Sequence, residues 1–290
     1  MKVMNKFVVT IIITVLVVAG SIVLAFKDRP YFKSFDKKHK EKTYKVVNKW
    51  ELPEVLEEVS GISWLSENKI ACVQDEDGII FIYDLKKNSI DREINFGDNG
   101  DYEAIASTKN DAYVMRSDGT LFVVNNFQTK KPSVKEFDTP LYKKNNIEGL
   151  ALDIKKDRLL LAAKDRNPDN DKYKAIYGYS LKTNQLDSAA ILDINLEDKI
   201  FKEHRAKKLY NTLRPSEIAI NPVTGEFYIL EGVNPKLLIL DTNGNPKKIH
   251  YLDPEEFNQP EGITFSPSGT LYISNEGRKD DANILEVELK

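Results

Sequence analysis

The chain has 290 residues, with 42 Lys and Arg against 45 Asp and Glu and a net charge of −3, enough length to bury one large core or two smaller ones. The charge is uneven: residues 27–45 carry +5 and residues 46–290 carry −10, so the acidic body excludes the basic footprint of a nucleic-acid binder. Cys72 is the single cysteine, which excludes an intrachain disulfide.

Residues 7–26 (FVVTIIITVLVVAGSIVLAF) form a run of 20 without a charge, long enough to cross a bilayer as a helix. The run is longer than most cleavable signal cores and no lipobox cysteine follows it, so it reads as an uncleaved anchor. Cleavage near Ala19-Gly20-Ser21 or Leu24-Ala25 is the alternative. Lys2 and Lys6 precede the span, and Lys27, Arg29, Lys33, Lys37, Lys38, Lys40, Lys42 and Lys45 follow it. That bias favours a cytoplasmic body, whereas a short N-tail, a long apolar run and a large downstream domain are the layout of an exported signal-anchor protein. The expectation is export, with the membrane as a partner through this helix: residues 1–26 as cytoplasmic tail and anchor, 27–43 as a basic linker, and a periplasmic or cell-surface body. The linker reads as a solvated tether, or as a segment lying on anionic headgroups.

Past the linker a short motif recurs: Ser60-Gly61-Ile62-Ser63, Glu103-Ala104-Ile105-Ala106, Glu148-Gly149-Leu150-Ala151, Ser216-Glu217-Ile218-Ala219 and Glu261-Gly262-Ile263-Thr264. Measured from the second residue, the spacings are 43, 45, 68 and 45. A period of about 40–50 residues built from short strands marks a β-propeller with one repeat per blade. The first repeat reads as strands 60–65, 69–74, 79–85 and 89–96, the second as 103–107, 112–116, 121–125 and 134–138. The third repeat is longer than the rest, and the charged stretch 195–213, free of Gly and Pro, reads as an inserted helix. The fifth lacks one strand, which residues 44–52 can supply, closing the edge that would otherwise invite aggregation. The predicted fold is all-β: a five-bladed propeller over 44–290, its N-terminal strand closing the last blade, preceded by one transmembrane helix.

These motifs, together with Gln259-Pro260-Glu261-Gly262-Ile263, the stretch from Ala162 to Pro168 and Leu271-Tyr272-Ile273-Ser274-Asn275-Glu276, resemble the SdiA-regulated family of bacterial β-propeller proteins. The resemblance covers about residues 44–290 and departs from the family pattern at Ala104 and Glu217, where glycine is usual, and in the insertion. It implies a five-bladed propeller, distantly similar to NHL-repeat proteins, with a bound calcium ion. It implies no reaction.

The motif opens each repeat, so its first residue occupies the same place in every blade, and three of the five ring positions are Glu. Carboxylates gathered at a channel repel unless protonated or met by a cation, and Ca²⁺ takes about six to eight oxygen ligands. Glu103, Glu148 and Glu261 are therefore the candidate metal ligands, with Ser60 and Ser216 as secondary ring hydroxyls. The other reading is that these Glu side chains bond to neighbouring blades and hold the ring in register. The ends of the second strands bring Asp75, Arg116, Lys164, Glu231 and Glu276 to one channel rim, as contacts for an anionic or polar ligand or as ion pairs among themselves.

Residues 165–171 alternate oxygen ligands like the start of an EF-hand loop but lack its glycine and its acidic last ligand, so a polar surface loop is expected. No P-loop, H-E-x-x-H, G-x-S-x-G or paired-cysteine motif is present, and His39, His204 and His250 fall away from the channel strands. The leading expectation is a membrane-anchored, calcium-binding propeller outside the cytoplasm, acting as a ligand- or partner-binding (sensing) module. The alternatives are a calcium-dependent lactone or phosphoester hydrolase, with Glu76, Glu231 or Glu276 as base, and a scaffold that binds proteins.

Overall fold

Strand-forming runs of Ile, Val, Leu, Tyr and Phe, broken every few residues by turns, decide the architecture. Asn68 and Asn88 take φ of 59° and 53° between the strands of the first repeat, a left-handed conformation that Asn tolerates in tight turns. The computed structural model describes residues 41–141, 145–166, 170–278 and 280–290. The anchor expected over 7–26 and nearly all of the linker lie outside the described residues. Among the described residues no helix is long and apolar enough to cross a membrane.

Residues 42–290 form one unit of five four-stranded antiparallel sheets. Blade 1 holds Val59–Ser66, Lys69–Gln74, Ile79–Asp84 and Ser89–Asn95. Blade 2 holds Tyr102–Ser107, Ala112–Arg116, Thr120–Asn125 and Ser133–Asp138. Blade 3 holds Ile147–Asp153, Arg158–Ala163, Tyr173–Ser180 and Gln185–Asn195. Blade 4 holds Glu217–Ile220, Phe227–Glu231, Lys236–Leu240 and Pro246–Tyr251. Blade 5 holds Pro260–Phe265, Leu271–Asn275 and Asn283–Leu289, and Tyr44–Glu51 completes it from the N-terminal side. The first strand of each blade packs beside those of both neighbours, which closes the ring.

Side chains alternate across each strand, so every blade has two apolar faces. In blade 1, Ala71, Val73, Ile80 and Ile82 face blade 2, while Ile70, Cys72, Phe81 and Tyr83 face blade 5. Five such clusters fill the five gaps between blades. At the ring the inner strands approach closely: a Cβ on Gly61 would lie 2.8 Å from Ala104 Cα, and one on Gly262 would lie 2.9 Å from Ile62 N. Glycine at these two positions is therefore a packing requirement.

The closing strand pairs Tyr44 with Leu289 and Glu51 with Asn283. Tyr44 is buried, stands edge-on to Phe257 at 5.3 Å and donates its hydroxyl to Glu256 at 2.7 Å. Residues 195–213 depart from the expected helix. The outer strand of blade 3 runs through Asn195, and two single 3-10 turns follow, Lys199–Phe201 and Leu209–Asn211. Leu196, Phe201 and Leu213 are separately buried between blades 3 and 4, anchors that share no helical face, and the Asp198 side chain caps the first turn by accepting from Ile200 N at 2.8 Å.

Candidate functional site

The beginnings of the inner strands and the ends of the second strands meet at one mouth of the channel, because the two strands of each pair are antiparallel. Glu148 is 3 % exposed; Asn146 Nδ2 donates to its Oε1 at 2.6 Å and Lys164 Nζ lies 2.5 Å from its Oε2. Burial raises the proton affinity of Glu148, against the pull of Lys164. Glu103 and Glu261 are half-buried. Burial raises both above the ordinary glutamate value, and charge repulsion adds to it, from Glu148 on each. Burial acts to lower the pKa of Lys164, but Glu261, Glu148 and Glu103 outweigh it and hold the ammonium charged.

Three ring carboxylates thus converge electrostatically on one lysine. Among the described residues no group of three or more His, Cys, Asp or Glu side chains is gathered closely enough to hold a metal ion. In this structure the cation that faces the ring glutamates is the ammonium of Lys164.

The two ring serines hold blades together instead of facing a ligand. Ser60 Oγ donates to Tyr102 O at 2.6 Å, from blade 1 to blade 2, and Ser216 Oγ donates to Pro260 O at 2.9 Å, toward blade 5. Each grips the carbonyl just before a ring glutamate. Glu217, which replaces the small residue of the other repeats, is 1 % exposed. Its Oε1 accepts from Leu150 N at 2.5 Å and from Ile218 N at 2.8 Å, while its Oε2 has no hydrogen-bond partner. Burial holds this carboxyl well above the usual range.

The structure separates the expected rim residues. Lys164 enters the ring. Glu276 is half-buried, accepts from Gln259 Nε2 and interacts with Lys164 across the mouth. Asp75 joins the same mouth: burial first, then Glu58 and Glu276, push its pKa up to about 7. Arg116 turns back onto its own blade, with its guanidinium 2.9 Å from Asp118 Oδ2 and 5.4 Å from the centre of the Phe122 ring. Glu231 is fully buried, paired with Lys236 and accepting from Arg214 N at 3.0 Å, so it offers nothing to the channel. Asp165 pairs with Arg214 at 2.9 Å. The EF-hand-like stretch, whose residues 167–169 lie outside the described ones, carries an Arg166–Asp171 ion pair at 2.8 Å.

Sequence reasoning missed Lys174. It is 0 % exposed, and its ammonium donates to the carbonyls of Lys164 at 2.9 Å and Asp165 at 2.5 Å, so it fixes the strand end from which Lys164 reaches the ring. Burial lowers its pKa to about 8. Its one sequence signal was a charge inside the strand run Tyr173–Ser180.

The pattern of the family described as SdiA-regulated matches residues 36–278. A search of curated proteins returns no match. Among solved structures the chain is similar to a glutaminyl cyclase from Myxococcus xanthus at 12 % identity, covering 86 % of this chain and 97 % of that one with a TM-score of 0.59. It is also similar to the PQQ-bound aldose sugar dehydrogenase of Streptomyces coelicolor at 13 % identity, covering 86 % and 99 % with a TM-score of 0.52. At such identities the likeness carries the fold alone.

Proposed function

The chain belongs to the SdiA-regulated family, and on that premise we propose that it is a membrane-anchored binding module outside the cytoplasm, whose polar mouth takes a small ligand bearing a positive group. The observation that supports this reading is the charge imbalance at the ring, where Glu103, Glu148 and Glu261 share the ammonium of Lys164. Buried carboxylates with raised proton affinity hold protons until a better cation arrives. An incoming ammonium group would release those protons and meet acceptors already fixed by the inner strands. Asp75 and Glu276 extend the acidic wall outward, which suits a polar ligand longer than the amine alone. Residues 7–26 would hold the module at the membrane surface, a fitting place for sensing.

The hydrolase reading names three bases, and each is engaged elsewhere or faces solvent. Glu231 is sealed in its ion pair, Glu276 is bound by Gln259 and Glu76 is exposed. His250 is buried against Thr43, and His204 packs on Tyr251.

Calorimetric titration of the full chain in detergent, with cadaverine and separately with CaCl₂, tests the proposal. Saturable amine binding with proton release to the buffer is expected, weakened about tenfold or more in the Glu148→Gln/Glu261→Gln variant. No amine binding by the folded protein refutes it. Binding of CaCl₂ alone also refutes it and returns the ring to a metal.

A further inference from the structure

The opposite end of the channel has a different character. One step past the small second motif residue, each inner strand carries an aliphatic side chain: Ile62, Ile105, Leu150, Ile218 and Ile263, each 1–3 % exposed. Each packs into the apolar cluster between two blades and lines the base of the channel at this end. The next position is small in every blade (Ser63, Ala106, Ala151, Ala219 and Thr264), and the room this leaves is a cavity of about 350 Å³. Trp64 and Phe265 contribute aromatic walls, and Leu152 and Ile220 aliphatic ones. The rim is apolar as well. Ile154, on the turn that follows the inner strand of blade 3, is 73 % exposed, the highest among the exposed large hydrophobic residues described, and Pro222 and Pro267 line the same mouth.

Polar groups in this cavity are few and placed on one side. Ser63 Oγ and Ser107 Oγ lie 2.9 Å apart. One hydroxyl donates to the other, which leaves one proton of the pair for a further acceptor. Thr264 Oγ1 accepts from Trp64 N at 2.8 Å, and its own proton is likewise left over. Mostly apolar walls with a few convergent polar groups are the composition of a small-molecule pocket, and the volume is at the lower end of the usual range of about 300–1,000 Å³.

We propose that this mouth is a second binding site, for a compact and mainly apolar molecule that carries one hydroxyl or carbonyl group to meet the Ser63–Ser107 pair. The site shares no lining residue with the polar mouth. Its proposal therefore stands or falls independently of the amine reading.

Trp64 provides the readout. The full chain in lipid nanodiscs would be titrated with 4-bromobenzyl alcohol, whose bromine quenches tryptophan on contact, with empty nanodiscs and the Trp64→Phe variant as blanks. Saturating quenching of Trp64 is expected. Filling the cavity with Ala106→Leu/Ala151→Leu should abolish it. Because that variant crowds two inner strands, Ser63→Ala serves as the second test: affinity for the alcohol should fall about threefold to tenfold, while 4-bromotoluene, which lacks the hydroxyl, should bind both proteins equally. Quenching that rises linearly without saturation, or that is unchanged in a well-folded filled variant, overturns the proposal. So does reversible self-association that Ile154→Asp abolishes while the probe fails to bind, because the mouth would then be an interface between copies.

Discussion

Replacing Lys164 by Met removes the one ammonium that the ring glutamates share while keeping most of the side-chain volume. The Lys164 and Glu148 side chains are 17 % and 5 % exposed and their charges are 2.5 Å apart. Breaking a buried pair by deleting one partner costs about 3–5 kcal/mol when the other charge stays in place. Glu148 has an escape, because it can take up a proton, and its proton affinity is already raised by burial. The cost should therefore depend on pH. Near pH 8 Glu148 must either stay charged without its partner or take up a proton against the solution, so the cost is largest there, at most about 3–5 kcal/mol, which for a domain of this size is a fall in melting temperature of up to roughly 6–20 °C. Near pH 5 the group is protonated and only a hydrogen bond is lost, worth about 1 kcal/mol. Differential scanning fluorimetry of the full chain and the variant between pH 5 and pH 8 measures this directly. The double variant Lys164→Met/Glu148→Gln should recover most of the loss at pH 8. An equal drop in melting temperature at both pH values, or none at pH 8, would refute the assignment of Lys164 as the resident cation.

Four further outcomes follow from the same geometry. Glu103, Glu148 and Glu261 all have folded pKa values raised above the ordinary 4.5; their stabilising contribution is complete below that value and is lost as pH rises through the raised values. Asp75 behaves likewise, with its loss spread between the ordinary 3.8 and its folded value of about 7. The urea midpoint should therefore fall between pH 5 and pH 9, and fall less in the Glu103/Glu148/Glu261→Gln triple variant; a midpoint that rises with pH contradicts this. Ser60→Ala and Ser216→Ala each leave a blade-to-blade carbonyl without its donor and should cost about 1–2 kcal/mol in chemical denaturation, adding when combined because they serve different blade pairs. Glu217→Gln keeps an acceptor for Leu150 N and Ile218 N and should stay within about 1 kcal/mol of the parent, whereas Glu217→Ala should cost about 1–3 kcal/mol. Deleting residues 42–52 removes the strand that pairs Asn283–Leu289 and exposes an apolar edge, so sedimentation should show aggregation in place of the parent's stable species.

Much of the architecture was legible because propeller repeats are local. The strands of blades 1 and 2 agree with the sequence reading to within a residue or two, since each is a short hydrophobic run between strong turn signals. The pairing of residues 44–52 with the last blade was legible too, because a blade one strand short has an edge that must be covered. The stretch 195–213 was misread because its apolar residues answer to two blade faces, Leu196, Phe201 and Leu213 each docking separately, and no local pattern records that.

At the candidate site the division is sharper. The repeat alone put Glu103, Glu148 and Glu261 on one ring, since equivalent positions in rotated copies must face the same axis. The partner of that ring was not legible. Lys164 and Arg116 end equivalent strands, yet one ammonium enters the channel while the guanidinium folds back on Asp118 and Phe122. What separates them is the environment each meets after folding: a buried carboxylate 2.5 Å away for Lys164, and an acid two residues along the chain for Arg116. Backbone periodicity is written in the order of residues. The balance between burying a charge and pairing it depends on which groups the closed ring brings within a few ångströms, and only the tertiary structure decides that.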